Sequence, residues 1–148
     1  MAATRCAIAS ERLTKADFEA LARFRFGIRR YLRFSEETVR ELGLTPQHYQ
    51  LLLALKGFPD RDWASIRELA ERLQLRHHSV VELVNRAQGQ GLVVRSAHPH
   101  DSRAVRVALT KDGERIISRL ASLHRDELRR LRDVIALPVW DDSAAIER

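Results

Sequence analysis

The 148-residue sequence predicts a mainly α fold with a small β-hairpin wing, an α+β winged helix-turn-helix flanked by long dimerisation helices. Three observations carry that reading. Two short segments, about 66–73 and 75–88, hold apolar residues at helical spacing and are separated by only a tight turn. Beyond Gly91 the apolar period changes to two, in "LVVRSA" and "VRVAL". The segments at either end carry apolar seams longer than a core of roughly 65 residues can cover, so they are expected to pair with each other and with a second copy of the chain.

Each element has its own start and stop signals. A first long helix is expected over 14–42: Thr14 and Asp17 have the form of a capping box, and Phe18, Leu21, Ile28, Leu32, Val39 and Leu42 keep a 3-4 spacing interrupted by Arg25 and Ser35, with Gly43 behind it as a C-cap. In "LTPQHYQLLLALKG" Thr45 is placed as N-cap and Pro46 at the first helical position, where its missing N–H costs nothing; Gly57 and Pro59 close the segment. "WASIRELAERLQL" contains a second capping box, Ser65 and Glu68, ahead of Leu69, Ala70 and Leu73. In "LRHHSVVELVNR" Val80, Leu83, Val84 and Ala87 share one face, and Gly89 and Gly91 mark the end. The alternating stretches that follow flank "HPHDSR", which reads as a hairpin with a long tip. Thr110 caps a last long helix whose seam runs Ile117, Leu120, His124, Leu128, Leu131 and Ile135 until Pro138 interrupts it, and "VWDDSAAIER" is left for one more short turn. The domain division is then an N-terminal arm (1–13), a helical dimerisation region (14–44 and 111–148) and a winged helix-turn-helix lobe (45–110).

Composition narrows the class. Apolar residues make up 45% of the chain with only 6 Gly and 4 Pro, as in an ordered globular protein. No apolar run approaches 18 residues, and "MAATRCAIASERL" lacks an apolar h-region, so neither a membrane span nor a secretory signal is expected and a cytoplasmic location is. The single cysteine, Cys6, cannot form an internal disulfide. Of 26 basic residues 23 are Arg, and the net charge of +6 favours a polyanionic partner.

In a winged helix-turn-helix the second helix enters the DNA major groove. With Val80 inward, the face turned away carries His78, Ser79, Glu82, Asn85 and Arg86, with Arg76 at the helix start and His77 on its flank. Arg suits guanine, Asn suits adenine and Glu suits the cytosine amino group. The hairpin gathers Arg95, His98, His100, Asp101, Ser102, Arg103 and Arg106, with Asp101 placed to orient Arg103; arginine on a narrow loop suits the minor groove, whose negative potential is enhanced. The same exposed helix face also reads as an ordinary solvated one, since Glu82 and Arg86 are four apart. Two further readings use these residues differently. A metal-responsive site would draw on His77, His78, Glu82, His98 and His100, but without a Cys pair or an H-E-x-x-H spacing, so no metal and no cofactor are assigned and no catalytic residue either. A winged helix used only for protein contacts would turn the basic surface to an acidic partner.

The runs "LTPQHYQLLLAL", "SIRELAERL", "SVVELVNRAQGQGLVVR" and "HPHDSRAVRVALTKDG", in that order, resemble the MarR family of bacterial winged-helix transcription regulators over roughly residues 18–135. The last is similar to the family's wing signature, D-P-R-D-R-R-A followed by apolar alternation and L-T-x-x-G. The resemblance implies a non-enzymatic regulator, a repressor by expectation, binding a palindromic double-stranded operator as an obligate homodimer. It implies residues 75–88 in the major groove and the wing in the minor groove, with Arg103 as the inserted arginine and Asp101 as its orienting partner. His98 stands for the first wing aspartate, His100 and Ser102 for arginines, and His77, His78 and Glu82 for other types in the recognition helix. An effector is also implied. Peroxide-sensing relatives use a cysteine inside the first helix, whereas Cys6 precedes it. Relatives sensing aromatic or phenolic compounds bind them between the dimer helices and the DNA-binding lobe, where Phe26, Arg30 and His48 are the candidate lining here.

Overall fold

Thr14, Thr45, Ser65 and Thr110 each open a helix in the computed structural model, which describes residues 12–139, and each accepts the backbone N–H three residues on with its side-chain oxygen. These caps set the frame: α1 (Lys15–Glu41), α2 (Pro46–Lys56), β1 (Trp63–Ser65), α3 (Ile66–Leu73), α4 (His77–Gly89), β2 (Val93–His98), β3 (Asp101–Leu109), α5 (Lys111–Arg130) and α6 (Arg132–Ile135). Gly43, at φ +72°, turns the chain out of α1 in a conformation that a side chain would oppose. The arm that holds Cys6 and the stretch from Trp140 onward lie outside the described residues.

The core is one cluster. Leu51, Leu52 and Leu55 of α2, Leu69 of α3, Val80, Leu83 and Val84 of α4, Val107 of β3 and Ile117 and Leu120 of α5 are all buried in it. Val39 and Leu44 bring the C-terminal end of α1 into the same cluster. Much of the rest of α1 does not join: Phe18, Leu21 and Leu32 of the predicted seam are 55%, 38% and 50% exposed.

Three expectations need correction. β1 pairs antiparallel with β3, Trp63 opposite Ala108 and Ser65 opposite Arg106, so the wing is a three-stranded sheet of order β1-β3-β2 and not a bare hairpin. The expected long tip contracts to Pro99 and His100, because β2 runs to His98 and β3 starts at Asp101, with an irregularity in pairing after Ala97. The last long helix breaks at Leu131, well before Pro138. The break lets α6 lie against α1 at Gly27, where a Cβ would stand 2.9 Å from both Ile135 Cγ1 and the Val134 carbonyl oxygen.

Candidate nucleic-acid interface

Burial of Val80, Leu83, Val84 and Ala87 fixes the roll of α4. At 100° per residue it leaves Arg76, His77, His78, Glu82, Asn85 and Arg86 exposed and Ser79 half-buried. Arg76, the N-cap, makes no side-chain cap bond, so the first-turn amides of α4 receive nothing from it. A groove of about 560 Å³ runs from this helix start to the wing, lined by Ser65, Ile66, Arg67, His77, Val81, Arg95, Asp101, Arg103, Ala104 and Val105. Three arginines share it, and Arg103 is exposed.

Not every residue assigned to this face is free. Arg95 is half-buried and ties the wing to α4: its Nη2 donates to Asn85 Oδ1 at 2.6 Å and to the Val81 carbonyl at 3.4 Å, and its Nη1 donates to Gln88 Oε1 at 2.8 Å. Asn85 therefore has its acceptor committed. Arg86 donates to Gln47 Oε1 of α2 at 3.4 Å, a longer contact than the Arg95 bonds. Asp101 Oδ1 accepts the Arg103 backbone N–H at 2.9 Å, so it shapes the wing turn where the sequence suggested a grip on the guanidinium. His98 Nδ1 accepts the His100 N–H at 3.1 Å, which requires that nitrogen to be unprotonated, and its ring meets Trp63 edge-on at 5.5 Å. Arg106 lies with Cζ 4.0 Å over the Trp63 ring, away from the groove that Arg103 lines. His100 is exposed, and the side chain of Ser102 is outside the described set. Among the described residues no three His, Cys, Asp or Glu come together to hold a metal, and no helix is long and apolar enough to cross a membrane.

Phe26, Arg30 and His48 do not line a common cavity. Phe26 is 56% exposed, with Arg30 Cζ 5.8 Å from its ring, whereas His48 is only 2% exposed. His48 Nδ1 accepts the Thr45 N–H at 3.3 Å, completing the α2 capping box, and Nε2 is buried with no partner. Burial, and then the charge of Arg86, hold its pKa below the ordinary histidine value. A cavity of about 460 Å³ instead opens between α1, α2 and α5, lined by Tyr31, Tyr49, Leu53, Ala121, His124, Arg125, Leu128, Arg129 and Arg132. His124 is 2% exposed and stacks on Tyr49 with ring centroids 4.2 Å apart. Its Nδ1 lies 2.6 Å from the Leu120 carbonyl, which only accepts, so Nδ1 donates and Nε2 takes the Ser35 hydroxyl at 2.8 Å in the neutral ring. Burial beside Tyr31 pushes the Tyr49 hydroxyl up to about 12.

Residues 42–104 match the family model described as "MarR family". The chain is 31% identical over 93 residues to YsmB of Bacillus subtilis (strain 168), an uncharacterized HTH-type transcriptional regulator, a match covering 63% of this chain and 62% of that protein. AbsC, a MarR family transcriptional regulator from Streptomyces coelicolor, superposes with a TM-score of 0.70 at 22% identity, over 85% of this chain and 84% of its own. A cysteine-to-serine mutant of MarR from E. coli, complexed with operator DNA, gives 0.63 at 22% identity, over 83% and 84%. The matched segment spans α2 through the wing turn, and the shared fold takes in the flanking helices as well: the chain is similar to the MarR family over residues 42–104 and folds as a winged helix-turn-helix.

Proposed function

We propose that the protein is a DNA-binding transcriptional regulator, a repressor that binds a palindromic operator as a homodimer. The observation that carries this reading is the groove between α4 and the wing, where Arg67, Arg95 and Arg103 line one wall system with His77, beside the exposed Arg76, His78, Glu82 and Arg86. In this reading α4 occupies the major groove and Arg103 the adjacent minor groove, while phosphates meet the arginines around them. Arg95 acts as a strut and Arg106 stands outside the contact surface. The exposed Phe18, Leu21 and Leu32 of α1, with Leu123 and Leu128 of α5, supply the apolar area for a second copy.

The test is a titration of several fluorescently labelled duplexes at a series of salt concentrations. Arg103→Ala is expected to weaken binding to all of them alike and to reduce the steepness of the salt dependence by about one. Undiminished binding by that variant would remove the wing from the interface.

The effector site in this proposal is the cavity between α1, α2 and α5. Tyr49 stacked on His124 and Tyr31 edge-on to it offer aromatic rings, and the exposed Arg125 and Arg129, which share the exposed Asp126 as ion-pair partner, offer cations, a pairing suited to an aromatic carboxylate. Benzoate or a hydroxybenzoate is expected to raise the melting temperature of the wild-type chain and release it from duplex, and Arg129→Ala is expected to blunt both effects. No shift with any such acid would count against this site.

A further inference from the structure

The outer side of the wing carries a series of cation–aromatic contacts that the groove does not use. Arg72, in the last turn of α3, has its Cζ 4.4 Å from the Phe58 ring centroid. Arg61 lies 4.3 Å from Phe58 and 4.1 Å from Trp63, and is also ion-paired to Glu68 of α3. Arg106 of β3 lies 4.0 Å from Trp63, and His98 at the end of β2 closes edge-on upon the same ring. All four cation distances fall well inside the roughly 6 Å reach of such contacts. They form a continuous path from the helix-turn-helix, through Trp63, to the wing turn.

Trp63 pairs with Ala108, two residues short of the point where the sheet loses its third strand, and its ring reaches that point beneath Arg106. Pairing of β1 with β3 ends at Ser65 and Arg106, and the hairpin beyond it, from Ala97 to Val105, continues as two strands. A two-stranded hairpin is marginal by itself. Ala97 and Val105 are exposed, so the fold's core does not back this segment. Trp63 does, through Arg106 and His98. From His98 the path to the groove is short: His98 pairs with Asp101 across the turn, and Asp101 Oδ1 holds the Arg103 N–H. Trp63 itself is half-buried, while its neighbour Ala64 is the β1 residue fully enclosed in the core. Removing the Trp63 ring therefore opens the wing support and leaves the core closed.

We propose that Trp63 is the positioning residue of the wing, fixing the hairpin tip, and with it Arg103, relative to α4 for duplex binding. This inference rests on the DNA-binding reading above. It gives Arg61 and Arg106 a role distinct from base or phosphate contact: they are held against Trp63 and set the angle at which the tip is presented.

The experiment combines a double-mutant cycle on one labelled duplex with hydrogen exchange on the free protein. Trp63→Ala is expected to weaken binding about tenfold in the wild-type background and less than about twofold in an Arg103→Ala background, because both changes act through one group. Trp63→Phe, which keeps an aromatic face, is expected to recover most of the loss. Without DNA, amides from 98 to 103 should exchange faster in Trp63→Ala while those from 81 to 87 of α4 stay as protected as before. An equal loss in both backgrounds, an unchanged wing, or faster exchange through α4 as well would each overturn the proposal. If the wild-type chain bound no duplex, the functional reading would fail, and wing exchange in Trp63→Ala would still decide whether Trp63 fixes the tip.

Discussion

Replacing Gly113 by alanine is expected to lower the melting temperature by about 10 °C, the equivalent of roughly 3 kcal/mol for a chain of this size. A Cβ at Gly113 would stand 2.1 Å from the Leu92 carbonyl oxygen and 3.1 Å from its carbon. That carbonyl cannot turn aside freely, because it accepts the Thr110 N–H at 3.0 Å. Thr110 in turn caps α5 through the Gly113 N–H at 3.0 Å and donates its hydroxyl to the Gly91 carbonyl at 2.6 Å. The start of β2, the end of β3 and the start of α5 are thus pinned together at one backbone contact, and a methyl group has to push them apart. Gly89→Ala is the matched control: its Cβ would meet nothing within 4 Å, and alanine is the better helix former. Thermal melts of the two variants give the comparison, and a Gly113→Ala chain melting with the wild type would contradict the packing described for this junction.

The second large effect is expected on assembly. Phe18→Gln combined with Leu21→Gln leaves the net charge unchanged and removes two exposed apolar side chains from α1. The double variant is expected to sediment as a monomer and to bind an operator duplex about 100-fold or more less tightly, since two half-sites held by one dimer act at high effective concentration and two free subunits do not. A double variant that still sediments as a dimer would place the subunit contact elsewhere.

Much of the fold was readable from caps and periods. Thr14–Asp17, Thr45–Pro46, Ser65–Glu68 and Thr110 are local signals, and a local signal suffices to start a helix. β1 was not readable, because its three residues show no alternation and its partner strand lies some forty positions away. Part of the α2 cap escaped for a different reason: in "TPQH" the group reaching back to the N-cap is His48, where the usual pattern has Glu or Gln.

Two polar positions within the apolar seams proved to be partners. Ser35 breaks the α1 seam and His124 sits within the α5 seam, and they are hydrogen-bonded across 89 residues of chain. The periodicity showed each irregularity, but only the packing of α1 against α5 could join them.

At the candidate interface the exposed face of α4 followed from its apolar stripe. The roles within the wing did not follow from composition. Arg103 and Arg106 lie in one basic run, yet one lines the groove and the other stacks on Trp63, a tryptophan supplied by the strand that the sequence concealed. Arg95 and Asn85 were both assigned to DNA and are bonded to each other, because a side chain from β2 reaches α4 across a distance that no spacing rule measures.

We propose that the arginine-lined groove between α4 and the wing receives duplex DNA. The most direct test is the affinity of the wild-type protein for a labelled duplex across a range of salt concentrations. Each neutralised phosphate contributes roughly −0.9 to the slope of log affinity against log salt, and the groove predicts a slope of about −3 or steeper. A flat dependence, or no binding at low salt, would contradict it.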